Sequence, residues 1–175
     1  RVAGARAAVV ATPLGCEELR REVARRAFEA GIRIGGDDVV VTAGCSEALM
    51  LCLRALTRPG DAVAVESPAY FGTLQAIAAL GLRAVEIPTD PRVGLCVDAL
   101  DAVLARGDVA AVVVTPSVHN PTGAVMPEEA RRALADVLAR HGVPAIEDDT
   151  YGDLCFGDAR PRSLRTFDRA GLVLT

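Results

Sequence analysis

Apolar residues along the chain fall into short β-branched runs separated by stripes at helical spacing. Arg1 to Pro13 shows little periodicity. Leu19, Val23, Ala27 and Phe28 then recur every turn, which predicts a helix over residues 16–30 with Gly31 as its stop. Asp38 to Thr42 predicts a strand, followed at once by Gly44-Cys45-Ser46 and an apolar helix from Glu47 to Leu56. Pro59-Gly60-Asp61 marks a turn, Ala62 to Glu66 a strand broken by Ser67-Pro68, and Tyr70 to Leu80 a helix ended by Gly81. Arg83 to Ile87 predicts a strand, Pro88 to Gly94 a loop, Val97 to Ala105 a helix and Val109 to Thr115 a buried strand. Pro116 to Gly123 is a loop rich in breakers. Pro127 and Gly142 bracket a helix with Ala130, Leu134 and Leu138 in register. Val143 to Glu147 is a further strand with Asp148 to Tyr151 just past its end. Asp153 to Phe167 is irregular, and Leu172 to Thr175 is β-like.

Strands alternating with helices predict an α/β fold, a three-layer α/β/α arrangement around a mainly parallel sheet. No repeat or linker divides the chain, so a single domain over residues 1–175 is expected. Ligands of such sheets bind beyond the carboxyl ends of the strands. Three unusual segments lie at those ends: Gly44-Cys45-Ser46, His119-Asn120-Pro121-Thr122-Gly123 and Asp148-Asp149-Thr150-Tyr151.

Composition narrows the picture by exclusion. Half of the 175 residues are hydrophobic (51%), which favours a folded core over disorder. A net charge of −4 gives no electrostatic case for nucleic acid in this segment. The five cysteines, Cys16, Cys45, Cys52, Cys96 and Cys155, are odd in number and without CxxC spacing, so neither a disulfide framework nor a zinc site is expected. No apolar run approaches ~20 residues, so no membrane partner is expected and a cytoplasmic location fits. All 19 basic residues are arginine; lysine is absent. The chain begins at Arg1 and ends within a β-like run, which reads as a fragment.

Each candidate site carries two readings. Gly44-Cys45-Ser46 is either an ordinary capped helix start or an anion site, with backbone N–H groups and the Ser46 hydroxyl as donors. Glu47 argues mildly against an anion unless it points away. Asn120-Pro121-Thr122-Gly123 is a turn by composition, although Asn120 has an amide to offer a ligand. His119 is structural or catalytic. Glu147-Asp148-Asp149 is an acidic loop, or it supplies one buried carboxylate to pair with a cationic ring nitrogen. Tyr70 and Tyr151, the two tyrosines, are either core residues or site residues.

The order of these motifs decides more than any one of them. The series Thr42-Ala43-Gly44-Cys45-Ser46-Glu47-Ala48-Leu49, Glu66-Ser67-Pro68-Ala69-Tyr70, His119-Asn120-Pro121-Thr122-Gly123 and Glu147-Asp148-Asp149-Thr150-Tyr151-Gly152-Asp153 resembles the class I/II aminotransferases. It looks closest to the aminotransferase-like domain of MocR-type regulators of the GntR family. The resemblance implies part of the large domain of a fold-type I pyridoxal-phosphate-dependent transferase, with pyridoxal 5'-phosphate as cofactor. Cys45, Ser46 and Glu47 would bind its phosphate. Tyr70 would stack on the ring, Asn120 and Tyr151 would reach its phenolic oxygen, and Asp148 would hold the pyridinium nitrogen. The Asn120-Pro121 peptide would be cis, and Asp149 and Thr150 would be structural. The family's Schiff-base lysine has no counterpart here, so the chain is expected to lack catalysis by itself, and the small domain is missing too. The implied parent is a homodimer that binds an amino acid or amine. It is either a regulator that reaches DNA through an upstream winged helix or an aminotransferase, an inactive truncated product being the third reading.

Overall fold

The computed structural model describes residues 12–154 and 160–175. Cys155 and Arg1 to Ala11 lie outside the described residues. The chain divides into two compact units, Arg1–Ala43 and Gly44–Thr175.

In the first unit, helix α1 spans Glu17–Glu29, and Gly31 ends it at φ +85°. Arg20 is its buried residue, and its guanidinium binds the Gly36 carbonyl at 2.7 Å and Asp37 at 3.2 Å. The predicted apolar stripe is not a buried face: Leu19, Val23 and Phe28 are exposed. The strand expected over Asp38 to Thr42 is absent. Gly36–Asp38 forms a 3₁₀ turn, and Val39 is extended without joining a ladder. β-branched residues favour the extended backbone, but a strand also needs a neighbour to pair with. Here Val41 donates its N–H to the Leu14 carbonyl at 2.9 Å. Gly15 makes that approach possible: it sits at φ +94°, and a Cβ there would fall 2.6 Å from the Val41 Cβ.

The second unit carries helices α2 (Cys45–Leu56), α3 (Phe71–Ala79), α4 (Val97–Leu104) and α5 (Glu128–His141). Its strands are β1 (Ala62–Ser67), β2 (Arg83–Asp90), β3 (Gly94–Leu95), β4 (Val109–Val114), β5 (Ala145–Glu147) and β6 (Val173–Leu174), in the order β3-β2-β1-β4-β5-β6. All neighbours are parallel except β3, which returns antiparallel to β2. The segment read as a loop from Pro88 to Gly94 is therefore largely a hairpin. The Asp90 carboxylate builds its turn by accepting the Arg92 N–H at 2.7 Å. A turn of this kind is stabilised by an aspartate at its first position, a signal that Pro88 obscures.

Successive strand residues point to opposite faces, and both faces are buried. Ala62, Ala64, Val112, Val114 and Ala145 pack with Leu100 and Leu104 of α4 and Leu134 and Leu138 of α5. Val63, Val65, Val113 and Ile146 pack on the other side with Leu49 and Leu53 of α2 and Ala76 and Ile77 of α3. This is the expected α/β/α layering, and each fully buried aliphatic side chain contributes roughly 1.5–3 kcal/mol. Because β1, β4 and β5 are sheet neighbours, the residues just past them, Ser67 to Tyr70, Thr115 to Gly123 and Asp148 to Tyr151, converge at one edge.

Candidate functional site

Helix α2 begins at that same edge. Its N-cap is Gly44, at φ 143° and ψ 171°, a conformation open essentially to glycine alone. Glycine has no side chain to cap the helix, and no side-chain cap bond is present. Cys45, Ser46 and Glu47 form the first turn of this helix, and the helix dipole places positive potential at their N–H groups.

Asp148 continues from β5 and donates its backbone N–H to the Val114 carbonyl at 2.9 Å. Its carboxylate accepts from Thr150 twice, from the hydroxyl at 2.7 Å and from the backbone N–H at 3.1 Å. The Cys45 thiol lies 3.7 Å from the same oxygen and 3.1 Å from the Thr150 hydroxyl. Burial pushes the Cys45 pKa up; the Thr150 hydroxyl opposes this and the Asp148 charge adds to it. The group at 45 is therefore a thiol rather than a thiolate nucleophile.

Tyr70 is the N-cap of α3, and its ring centre lies 4.7 Å from that of Phe71 at a 58° tilt. A Cβ at Gly72 would lie 2.4 Å from the Tyr70 ring, so only glycine lets the ring rest there. Asn120 follows a left-handed Val118 (φ +53°) and precedes a cis peptide to Pro121; Ser67-Pro68 is cis as well. The loop is closed by His119 N–H to the Ala124 carbonyl at 2.8 Å and Gly123 N–H to the His119 carbonyl at 2.6 Å.

Behind this edge lie buried titratable groups. Glu66 accepts the Thr115 N–H at 2.7 Å and sits 3.4 Å from His119 Nε2. Burial pushes its pKa up to about 8, with the Thr115 N–H opposing and the Asp148 charge reinforcing. Burial also holds His119 below its ordinary value. Glu147 is buried against the Ser163 hydroxyl at 2.5 Å and the Leu164 N–H at 2.7 Å. Asp149 pairs with Arg160 rather than facing the edge.

One pocket gathers the named residues. It is lined by Cys45, Ser46, Tyr70, Asn120, Asp148 and Tyr151, together with Leu49, Gly72, Thr115 and Thr150. Of the residues singled out from sequence, Glu47 is in the same helical turn but exposed and not on the lining. Thr150, expected to be structural, both lines the pocket and fixes Asp148. Its signal was the Asp-x-Thr spacing, in which a side-chain oxygen bonds backbone two residues on. Gly72 was legible only as a helix residue. Among the described residues, no three His, Cys, Asp or Glu side chains are grouped to hold a metal ion. No described helix is long and apolar enough to cross a membrane.

A sheet of this order, with a helix N-terminus, an aspartate and an asparagine loop converging past β1, β4 and β5, defines an aminotransferase-like domain. The aminotransferase class I and II family matches residues 2–174, and the chain belongs to that family. It is similar to the uncharacterized HTH-type transcriptional regulator YjiR of Escherichia coli, with 38% identity over 160 residues, 91% of this chain and 34% of the regulator. Among solved structures it resembles an archaeal alanine:glyoxylate aminotransferase (TM-score 0.86, 32% identity, 94% of this chain and 42% of that one). It also resembles LysN, the α-aminoadipate aminotransferase of Thermus thermophilus, complexed with N-(5'-phosphopyridoxyl)-L-leucine (TM-score 0.83, 33% identity, 94% and 42%). The chain thus spans well under half the length of these relatives. The motif resemblance holds for the family.

Proposed function

We propose that the pocket binds pyridoxal 5'-phosphate and that the chain is the N-terminal portion of the cofactor-binding large domain of a MocR-type regulator, where it senses an amino acid or amine. The observation that carries this reading is the charge layout of one pocket. A helix N-terminus suited to a phosphate and an aspartate suited to a protonated ring nitrogen open onto the same space, with Tyr70 and Asn120 on its lining. Cys45 and Ser46 would offer N–H groups and the Ser46 hydroxyl to the phosphate, with Glu47 contributing backbone alone because its side chain is exposed. Tyr70 would stack on the ring, contributing on the order of 1 kcal/mol beyond burial. Asn120 and Tyr151 would donate to the phenolic oxygen. Asp148, its rotamer fixed by Thr150, would hold the ring nitrogen protonated. When bound, the cofactor supplies an electron sink for the α-carbon of an amino acid.

The chain contains no lysine, so covalent attachment would need a residue outside these 175, as would the small domain. Similarity to YjiR supports the regulator reading, with DNA contacted through a separate helix-turn-helix domain; a homodimer in the cytoplasm is part of the proposal. The likeness to LysN supports a second reading, an aminotransferase of the same pocket. The reading frame on either side of the segment separates the two: a winged helix upstream marks the regulator, a substrate-covering arm the enzyme. Cofactor binding is tested by titrating the chain with pyridoxamine 5'-phosphate, which needs no lysine, in a calorimeter. Saturable binding that Asp148→Ala weakens by tenfold or more supports the reading. Equal affinity in both proteins overturns the role of Asp148, and no binding by the folded chain overturns the cofactor.

A further inference from the structure

Glu66 and His119 are 4% and 3% exposed, and neither lines the pocket. An acid and an imidazole buried this deeply are costly unless each meets a partner. Their partners all belong to one loop. Glu66 Oε2, at the end of β1, accepts the Thr115 N–H at 2.7 Å and lies 3.4 Å from His119 Nε2. His119 Nδ1 lies 2.8 Å from the Thr122 hydroxyl, and that oxygen accepts the Ala124 N–H at 3.3 Å. A polar chain therefore runs from β1 through Thr115 and His119 to Thr122 and Ala124, and it encloses Asn120. Thr115 and Asn120 are both on the pocket lining.

We infer that Glu66 is a positioning residue for the pocket, its carboxyl holding Thr115 and His119 so that the loop presents Asn120 to the ligand. This rests on the cofactor reading above for what the ligand is, but not for the loop contacts. Protonation makes the device sensitive to pH. With Nδ1–H donated to Thr122, His119 Nε2 is an acceptor and faces the protonated Glu66 acid at 3.4 Å. The titratable groups facing Glu66 are His119 and, from beyond β5, Asp148; its ladder neighbour on β2 is the apolar Ile87. Once the Glu66 proton leaves, at about pH 8, a charge is buried beside His119 Nε2 and a second carboxylate faces Asp148 within the same edge of the sheet.

The test compares wild type, Glu66→Gln and Glu66→Leu by hydrogen exchange of amides 115–124, corrected for intrinsic rates, and by pyridoxamine 5'-phosphate titration, both at pH 7 and 9. In wild type, protection of these amides falls at least tenfold between the two pH values, and affinity falls with it. The glutamine oxygen, in the place of Oε2, accepts from Thr115 and, with the imidazole proton on Nε2, from His119, and the amide does not titrate, so Glu66→Gln keeps protection and affinity within threefold of wild type at pH 7 and removes the pH step. Glu66→Leu loses protection and at least tenfold in affinity at both pH values. A folded Glu66→Leu chain with unchanged protection, or a pH step that persists in Glu66→Gln, overturns the inference. Should the leucine variant not fold, the Glu66→Gln pH comparison decides alone. If wild type fails to bind the probe, the cofactor reading falls while the exchange data still judge the loop.

Discussion

Replacing Arg131 by methionine is expected to destabilise the second unit by about 3 kcal/mol, because it leaves buried acceptors unpaired. Arg131 is 1% exposed on α5, and its guanidinium makes four hydrogen bonds, three to the loop that precedes the helix and one to residue 162. Nε donates to the Met126 carbonyl at 2.8 Å, Nη1 to the Ser117 hydroxyl at 3.1 Å and the Arg162 carbonyl at 2.5 Å, and Nη2 to the Pro116 carbonyl at 2.7 Å. Methionine has a long apolar side chain but no donors. It would strand the Met126 and Arg162 carbonyls, each worth roughly 1–3 kcal/mol if left unpaired, and remove the guanidinium from Ser117 and from Pro116, whose carbonyl keeps the Met126 N–H. The penalties do not sum, since the loop relaxes and admits water. Even so, about 3 kcal/mol is a large share of a typical total of 5–15 kcal/mol. Lysine should recover little, because one ammonium cannot span a planar fork of acceptors. The assay is urea unfolding, with the midpoint shifting and the slope unchanged. A loss below about 1 kcal/mol in Arg131→Met would refute the claim that this fork ties Pro116 to Met126 in place.

Further outcomes follow from other contacts. Gly44→Ala should cost on the order of 1–3 kcal/mol, because a Cβ is strained at φ 143° even though no atom blocks it; thermal unfolding reads the loss. Gly72→Ala should weaken pyridoxamine 5'-phosphate binding several-fold with little change in melting temperature, since its Cβ would displace the exposed side of the Tyr70 ring. Leu134→Ala, at a fully buried position of α5, should cost about 2–5 kcal/mol in urea. The Glu66 linkage has a definite sign. The folded chain keeps the proton up to about pH 8 while the unfolded chain releases it near the ordinary 4.5, so this group's stabilisation is complete below 4.5 and is lost as pH rises to 8. His119, whose ordinary value is 6.5, acts in the opposite sense below that pH. Between 6.5 and 8 wild type should therefore lose about 2 kcal/mol relative to Glu66→Gln, read from urea midpoints across that range.

The sequence pattern located most of the sheet and most of the pocket for the same reason. Strand positions such as Val63 and Val112 are apolar on both faces, and motifs in α/β chains lie just past such runs. It failed where a residue's environment comes from distant chain. Arg131 sits one position from the Ala130–Leu134–Leu138 stripe and reads as solvent-facing, yet residues 116, 117 and 162 enclose it. Glu66 ends an apolar run and looks like a strand terminus, although Thr115 and His119 bury it. Asp38 to Thr42 has strand composition but forms no strand among the described residues, and Leu19, Val23 and Phe28 form a helical stripe that stays exposed. Thr150 shows its role only when Asp148 and Cys45 are seen around its hydroxyl. Periodicity reports which face is apolar; it does not report which polar groups another loop will cover.

The central claim is that the N-terminus of α2 and Asp148 bind opposite ends of one phosphorylated pyridine. A crystal structure of the chain grown with pyridoxamine 5'-phosphate tests it most directly. The account predicts the phosphate within hydrogen-bond distance of the Cys45 and Ser46 N–H groups, the ring against Tyr70, and the ring nitrogen on the Asp148 carboxylate. A ligand bound elsewhere, or one in this pocket with its ring nitrogen turned away from Asp148, would contradict it.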